Sequence, residues 1–214
     1  MGQLAYLPRP RLRMAVQRAH EVLLGLNPQG SRYGIFPINM QEVADILQMR
    51  FVPSSAVHQA IGGEPINEAV CMRQAGVTVV LLPENDPPGR IMFHAAHEAG
   101  HKACGHFEEY DIPRLRERAR SSKLAAMTLA MMDREADIFA AELLMPLAVV
   151  RYLELDALDL QFYHCVSSAA AKGRLADADD PQWLQATTDD EEQILAHCRE
   201  YVDHMDFVKA LRGE

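Results

Sequence analysis

The sequence predicts an α+β fold, a small antiparallel β-sheet packed on a mainly helical domain. Three observations lead there. Apolar residues recur at helical spacing through most of the chain. Val77-Thr-Val-Val-Leu-Leu82 is rich in β-branched residues and follows a second short run, Ala69–Arg73, across Gln74-Ala-Gly76, the pattern of a hairpin. The composition, 49% hydrophobic and 24% charged over 214 residues, matches that of soluble globular proteins and suffices for a core. At this length one compact domain with appendages is the economical reading.

The elements follow in order. A helix is expected from Arg11 to Leu26, stopped by Asn27-Pro28-Gln-Gly30; nothing in it points to chemistry, and residues 1–30 read as an N-terminal helical extension. Pro37 to Leu47 has helical periodicity, and Met49 to Pro53 reads as a short strand. Beyond the hairpin, Asn85-Asp-Pro-Pro-Gly89 is a turn, after which helical patterns dominate. Asp177-Ala-Asp-Asp-Pro181 reads as a linker, Thr188-Asp-Asp-Glu191 has capping-box spacing, and Ile194, Leu195, Cys198, Tyr201, Val202, Met205, Val208 and Leu211 continue as one amphipathic helix. This divides the chain into the extension, a domain at 31–176 and an acidic helical tail at 177–214. The tail helix suits packing on its own domain first and holding a partner second.

Charge excludes some functions. The net charge is -9, and the tail, with eleven acidic and three basic residues, carries -8 of it. So acidic a chain is not expected to bind nucleic acid directly, which requires Lys and Arg to displace counterions. No apolar run is long enough to span a bilayer, and Arg9, Arg11, Arg13 and Arg18 interrupt any signal-peptide core. The four cysteines, Cys71, Cys104, Cys165 and Cys198, are far apart without a CxxC pair, so a cytoplasmic protein is expected, without disulfides or a thiolate zinc site.

The chemistry is concentrated just after the turn. Phe93-His-Ala-Ala-His-Glu-Ala-Gly-His-Lys-Ala-Cys-Gly-His106 contains four of the nine histidines, and His97-Glu98-Ala99-Gly100-His101 is an HExxH motif. Residues i and i+4 lie one turn apart on one helix face, so His97 and His101 can grip one metal ion. Glu98 then projects toward a water that zinc would acidify to a pKa of about 7, and can carry its proton to a leaving amine. The expected cofactor is Zn2+, with Mn2+ or another divalent ion compatible with the same donors.

A catalytic zinc needs a third protein ligand and one open position. The best source is Met131-Met-Asp-Arg-Glu-Ala-Asp-Ile-Phe-Ala-Ala-Glu-Leu-Leu-Met-Pro146. Glu135 falls in the apolar stripe of Met131, Ile138 and Phe139, whereas Asp137 points about 160° away. A carboxylate on a buried face requires a cation, which favours Glu135 as ligand. Glu142 shares the stripe and is a weaker rival. Asp133 and Asp137 suit partners that orient the histidines.

These motifs together resemble the ImmA/IrrE metallopeptidases, whose usual pattern is a hydrophobic strand, an Asn-Asp turn, an RFTxAHExGH-like helix, an EANxFAAxLLMP segment and a VSxxAxxxRL segment. The corresponding stretches here are Val77–Leu82, Asn85-Asp86-Pro87, Phe93–His101, Glu135–Pro146, and Val166-Ser167 with Arg174-Leu175, so the resemblance extends from about Pro37 to Leu175. It implies a zincin-like fold, with His97, His101 and Glu135 as metal ligands and Glu98 as base. It also implies a protein substrate, typically a DNA-binding transcriptional repressor in a phage, mobile-element or stress-response setting. About 30 residues before the matching region are too few for the helix-turn-helix domain that some members carry. Asp137 replaces the usual Asn and His94 the usual Thr; His94, about one turn before His97, suits a structural role first and a substrate or metal-tuning role second.

Other readings of the residues are weaker. Cys104 reads as a buried thiol, His106 as a residue that touches the site in a minority of arrangements, and Tyr163 and His164 as packing residues before oxyanion donors. No Ser lies in GxSxG. A peptide substrate is expected along an edge strand such as Val77–Leu82. The competing functions are a non-cleaving repressor- or toxin-binding protein on the same fold, which has no need to keep Glu98, and a metal hydrolase acting on a small molecule.

Overall fold

The computed structural model describes residues 8–56, 69–74, 76–83, 85–183 and 190–213. Its first helix, α1 (Arg9–Gly25), begins two residues before the expected start, because Pro10 sits in the first turn, where its missing N–H costs nothing. α1 buries Leu12, Ala15, Val16, Ala19, Val22 and Leu23, the i, i+3, i+4 stripe of a core-facing helix. The next helix, α2 (Met40–Leu47), starts three residues later than its periodicity suggested, since the Asn39 side chain caps it by accepting from Gln41 N at 3.0 Å.

Three strands follow: β1 (Met49–Pro53), β2 (Val70–Gln74) and β3 (Val77–Leu82). The hairpin is present, with β2 antiparallel to β3 in the register Val70↔Leu81 to Gln74↔Val77. β1 instead runs parallel to β3, Met49 facing Thr78, so the sheet is mixed, in the order β1-β3-β2. This corrects two expectations: the sheet is not wholly antiparallel, and Val77–Leu82 is the central strand. The parallel pairing follows from the long connection between β1 and β2, since parallel neighbours cannot be joined by a tight turn. Thr78, Val80 and Leu81 are buried, as suits a central strand flanked on both sides.

The remainder is helical, as expected. α3 (Pro88–Ala103) carries the HExxH motif, α4 (His106–Glu109) and α5 (Ile112–Ala119) are short, and α6 (Lys123–Leu144) is the longest helix. Then come α7 (Leu147–Tyr152), α8 (Ala157–Tyr163) and α9 (Ser168–Ala178), the last capped by Ser167. α6 lies at the centre, packed by α1, α3 and α5. No helix among the described residues is long and apolar enough to cross a membrane.

The expected amphipathic helix of the acidic tail is divided into α10 (Glu191–His197) and α11 (Arg199–Arg212), with the break at Cys198. Ile194, Cys198, Tyr201, Val202 and Met205 are all buried in the main core. Its apolar stripe therefore packs on its own domain. Thr188, the expected start of its capping box, lies outside the described residues.

Candidate active site

The meeting of α3 with α6 builds the site, and Gly100 sets how close they come. A Cβ on Gly100 would lie 2.9 Å from both the Cα and the carbonyl oxygen of Ala136, closer than any side chain permits, so only glycine lets the two backbones touch. At that separation the one-turn pair His97/His101 on α3 lies over a second one-turn pair, Asp133/Asp137 on α6. His97 Nδ1 is 2.9 Å from Asp137 Oδ1, and His101 Nε2 is 3.5 Å from Asp133 Oδ1. The pairing of 97 with 137 and 101 with 133 makes the helices antiparallel at the crossing.

The two imidazoles face each other with Nε2 atoms 3.1 Å apart. An ionised carboxylate only accepts hydrogen bonds, so His97 Nδ1 donates to Asp137 and its Nε2 presents a lone pair to the cluster. His97, His101 and Asp133 have donor atoms within 4.8 Å of one another. Two imidazole nitrogens and a carboxylate oxygen aimed at one point are a chemical fit for zinc, with a fourth position left over.

The electrostatics suit that use. Burial, with the Arg116 charge acting in the same direction, pushes His101 down to about 3, so its ring is neutral at pH 7. Burial opposes protonation of His97 as well, but the hydrogen bond and charge of Asp137 outweigh it and its pKa is raised. Glu98 is raised chiefly by burial, the direction expected of a carboxylate that must take up and release a proton near neutrality.

Glu98, His101 and Asp133 open into a cavity of about 520 Å³. Its walls are largely apolar, from Phe107, Ile112, Pro113, Leu129 and Met132, with Tyr110 and Arg116 among the polar groups. Cys71 and Met72 of β2 also line it, and β2 is an edge strand among the described residues.

The structure does not bring Glu135 to His97 and His101. On α6, Asp133 and Asp137 lie about 40° apart around the axis and Glu135 about 160° from each, so Glu135 faces the interior. It is fully buried, held by Arg11 of α1 through Nε and Nη2, the latter at 2.9 Å, and by His106 Nε2 at 2.9 Å. Glu142, the rival, is likewise buried and bound by Arg174 and by His20 Nε2 at 3.0 Å. Burial did demand a cation for each, and arginine supplies it.

The remaining candidates fall as follows. Asp137 orients His97, as described. His94 lies 3.6 Å from Asp86 of the preceding turn and is outside the group of converging donors. His164 spends both ring nitrogens in the core, on Leu144 O at 2.7 Å and the Tyr201 hydroxyl at 2.9 Å. Tyr163 packs edge-on against Tyr33. Neither lines the cavity. Cys104, half-buried, groups with His106 and Glu135.

Sequence reasoning treated Asp133 only as an orienting partner and passed over Arg11, Arg116 and Arg174. For Asp133 a signal existed: its spacing of four from Asp137 repeats the spacing of His97 and His101. For Arg174 the signal was its place in the VSxxAxxxRL segment; for Arg11 there was none, since it meets Glu135 across 124 positions.

The chain was compared with known proteins. No curated protein and no solved structure matches it. The family model Peptidase_M78, described as the IrrE N-terminal-like domain, matches residues 64–175, a span that runs from before β2 to the middle of α9 and takes in both helices of the site. With just over half of its length matched, across the very elements that place His97, Glu98 and His101, this chain belongs to the Peptidase_M78 family of metallopeptidases.

Proposed function

We propose that the protein is a zinc-dependent endopeptidase that cleaves a protein substrate, with His97, His101 and Asp133 holding the metal and Glu98 acting as base. The convergence of the two Nε2 atoms and the Asp133 carboxylate, beside a cavity that Glu98, His101 and Asp133 line, carries this reading. Glu135, the ligand expected from its burial, is set aside because Arg11 and His106 already satisfy it. When bound, zinc polarises a scissile carbonyl and acidifies water.

The chain's own residues supply the rest. Asp137 holds the His97 ring through Nδ1, so that its orientation is set before substrate arrives. Glu98 accepts a proton from the attacking water and returns it to the leaving nitrogen. Its raised pKa brings the two protonation states closer in energy at neutral pH. A peptide laid as an extra strand on the free edge of β2 would pass Cys71 and Met72 and reach Glu98. The apolar walls then favour a hydrophobic side chain next to the scissile bond.

The substrate we propose is a DNA-binding repressor or other regulator. The resemblance and the acidity of the chain, which attracts basic proteins, support this. The test is capture by Glu98→Gln, which should keep metal and fold while losing about 100-fold or more of the activity. Incubating the captured protein with wild type should give two fragments, abolished by chelator. A captured partner that wild type binds and leaves intact would identify a binding protein instead.

A further inference from the structure

A chain of buried polar groups runs from the N-terminal helix to the back of the metal-site histidine. Arg11 binds Glu135, Glu135 Oε2 is 2.9 Å from His106 Nε2, and His106 Nδ1 is 2.9 Å from His101 Nδ1. Glu135 and His106 are both 0% exposed. Each hydrogen has one consistent place. Arginine has only donors, and Arg11 reaches both oxygens of Glu135, Oε1 from Nε and Oε2 from Nη2. Glu135 is therefore a carboxylate, and accepts. His106 must donate from Nε2, which leaves its Nδ1 as an acceptor. His101 then donates from Nδ1, and its Nε2 presents a lone pair toward His97 and Asp133.

We infer that Arg11, Glu135 and His106 are positioning residues, which fix the ring orientation and tautomer of His101 and thereby set how tightly the site holds its metal. The inference rests on the metal reading of the His97/His101/Asp133 cluster. Three features favour it over mere core packing. The His97 ring is held from Nδ1 by a carboxylate on the same helix α6, so the two imidazoles are fixed at equivalent atoms, one directly and one through His106. Gly105, with φ of 76°, turns the chain between α3 and α4 so that His106 folds back under His101. Arg11 lies outside the segment matched by the family model, so the arrangement makes a helix beyond that segment part of the site.

Cys104, His106 and Glu135 also lie within 4.8 Å of one another and could be taken as a second metal site. Arg11 argues against it, because its guanidinium already occupies the carboxylate.

The test measures zinc affinity by chelator competition, and the ligand field of the Co2+-loaded protein by its visible spectrum, in full-length wild type, Glu135→Gln, Arg11→Gln and Arg11→Lys. Val16→Ala, a truncation of a buried residue of α1, controls for general loosening. Glu135→Gln and Arg11→Gln should weaken zinc by about 10- to 100-fold and alter the Co2+ spectrum, with Arg11→Lys recovering part of the loss. Val16→Ala should lower Tm and leave the affinity unchanged. Affinities within two-fold of wild type in both Gln variants, measured where circular dichroism shows them folded, would overturn the inference alone. Uptake of two equivalents, one lost in Cys104→Ser, would overturn it in favour of a second site. A wild type whose zinc survives His97→Ala and Asp133→Ala would overturn the reading of the site on which it rests.

Discussion

Helix α6 presents four carboxylates on two faces, and they are treated in opposite ways. On the buried face Glu135 and Glu142, two turns apart, each receive an arginine and a histidine: Arg11 with His106, and Arg174 with His20. Arg11 and His20 both come from α1, so that helix is fastened along α6 by the two carboxylates in turn. On the other face, among the described residues, Asp133 and Asp137 meet the imidazoles of His101 and His97. One face is neutralised from within the protein; the other gathers donors around a point that a cation would satisfy. Burial of a carboxylate thus marks a need for positive charge, and the exposure of its neighbours decides whether protein or metal meets it.

The sharpest way to break this contrast is to unbalance the buried face. Arg174→Met leaves Glu142 buried without its main partner, and removing one member of such a pair costs about 3 to 5 kcal/mol, which corresponds to a fall in Tm of roughly 6 to 20 °C for a chain of this size. Calorimetry should show that loss, with zinc stoichiometry unchanged in the folded protein. A variant as stable as wild type would mean that Glu142 is not held by this pair.

On the exposed face the expected effect is smaller and falls on the metal. Asp137→Asn weakens the orientation of His97 and should cost about 10- to 100-fold in zinc affinity, read by competition with a chromophoric chelator, with Tm of the metal-free protein nearly unchanged. An affinity equal to wild type would show that Asp137 does not orient the ligand.

The two faces also differ in their response to pH. Burial pushes Glu142 up, but the charge of Arg174 and the hydrogen bond from His20 outweigh it and hold it at about 2. Its folded-state pKa lies below the unfolded value, so its contribution is present above about 4.5 and is lost as the pH falls toward about 2. The His20 pKa is raised, against its burial, by Glu142 and Asp190, so its contribution is full below about 6.5 and fades as the pH rises through the folded value. Glu142→Gln should therefore flatten the acid limb of a denaturation curve measured from pH 5 to pH 2. An unchanged acid limb would assign it to other carboxylates. The smallest effect is on the other face: Asp133→Asn should change the stability of the metal-free protein by no more than about 0.5 kcal/mol, since the side chain is exposed. A large drop in its Tm would give Asp133 a structural role.

Much of this architecture is legible in the residues, within limits that physics explains. Periodicity located α1, α3 and α6 and the β2–β3 hairpin, because those patterns arise from local geometry. The parallel pairing of β1 with β3 has no turn between the strands to announce it. The break at Cys198 left no mark because Ile194, Cys198 and Tyr201 continue the apolar stripe through it. HExxH identified His97, Glu98 and His101 as the residues to examine, since i and i+4 share a face in any helix. Glu135, expected at the metal, is paired with Arg11 and His106 instead, because the helical wheel states that a side chain is buried and says nothing about what lies opposite. Its partner Arg11 is reached only through the tertiary fold. Asp133, exposed and one turn from Asp137, was the carboxylate whose spacing matched the histidines.

The central claim is that the metal sits between α3 and the exposed face of α6, and diffraction from the zinc-loaded protein at the zinc absorption edge tests it most directly. The account predicts a single anomalous peak bonded to Nε2 of His97, Nε2 of His101 and the Asp133 carboxylate, with Glu135 still paired to Arg11. A peak bonded to Glu135, or placed among Cys104, His106 and Glu135, would contradict it.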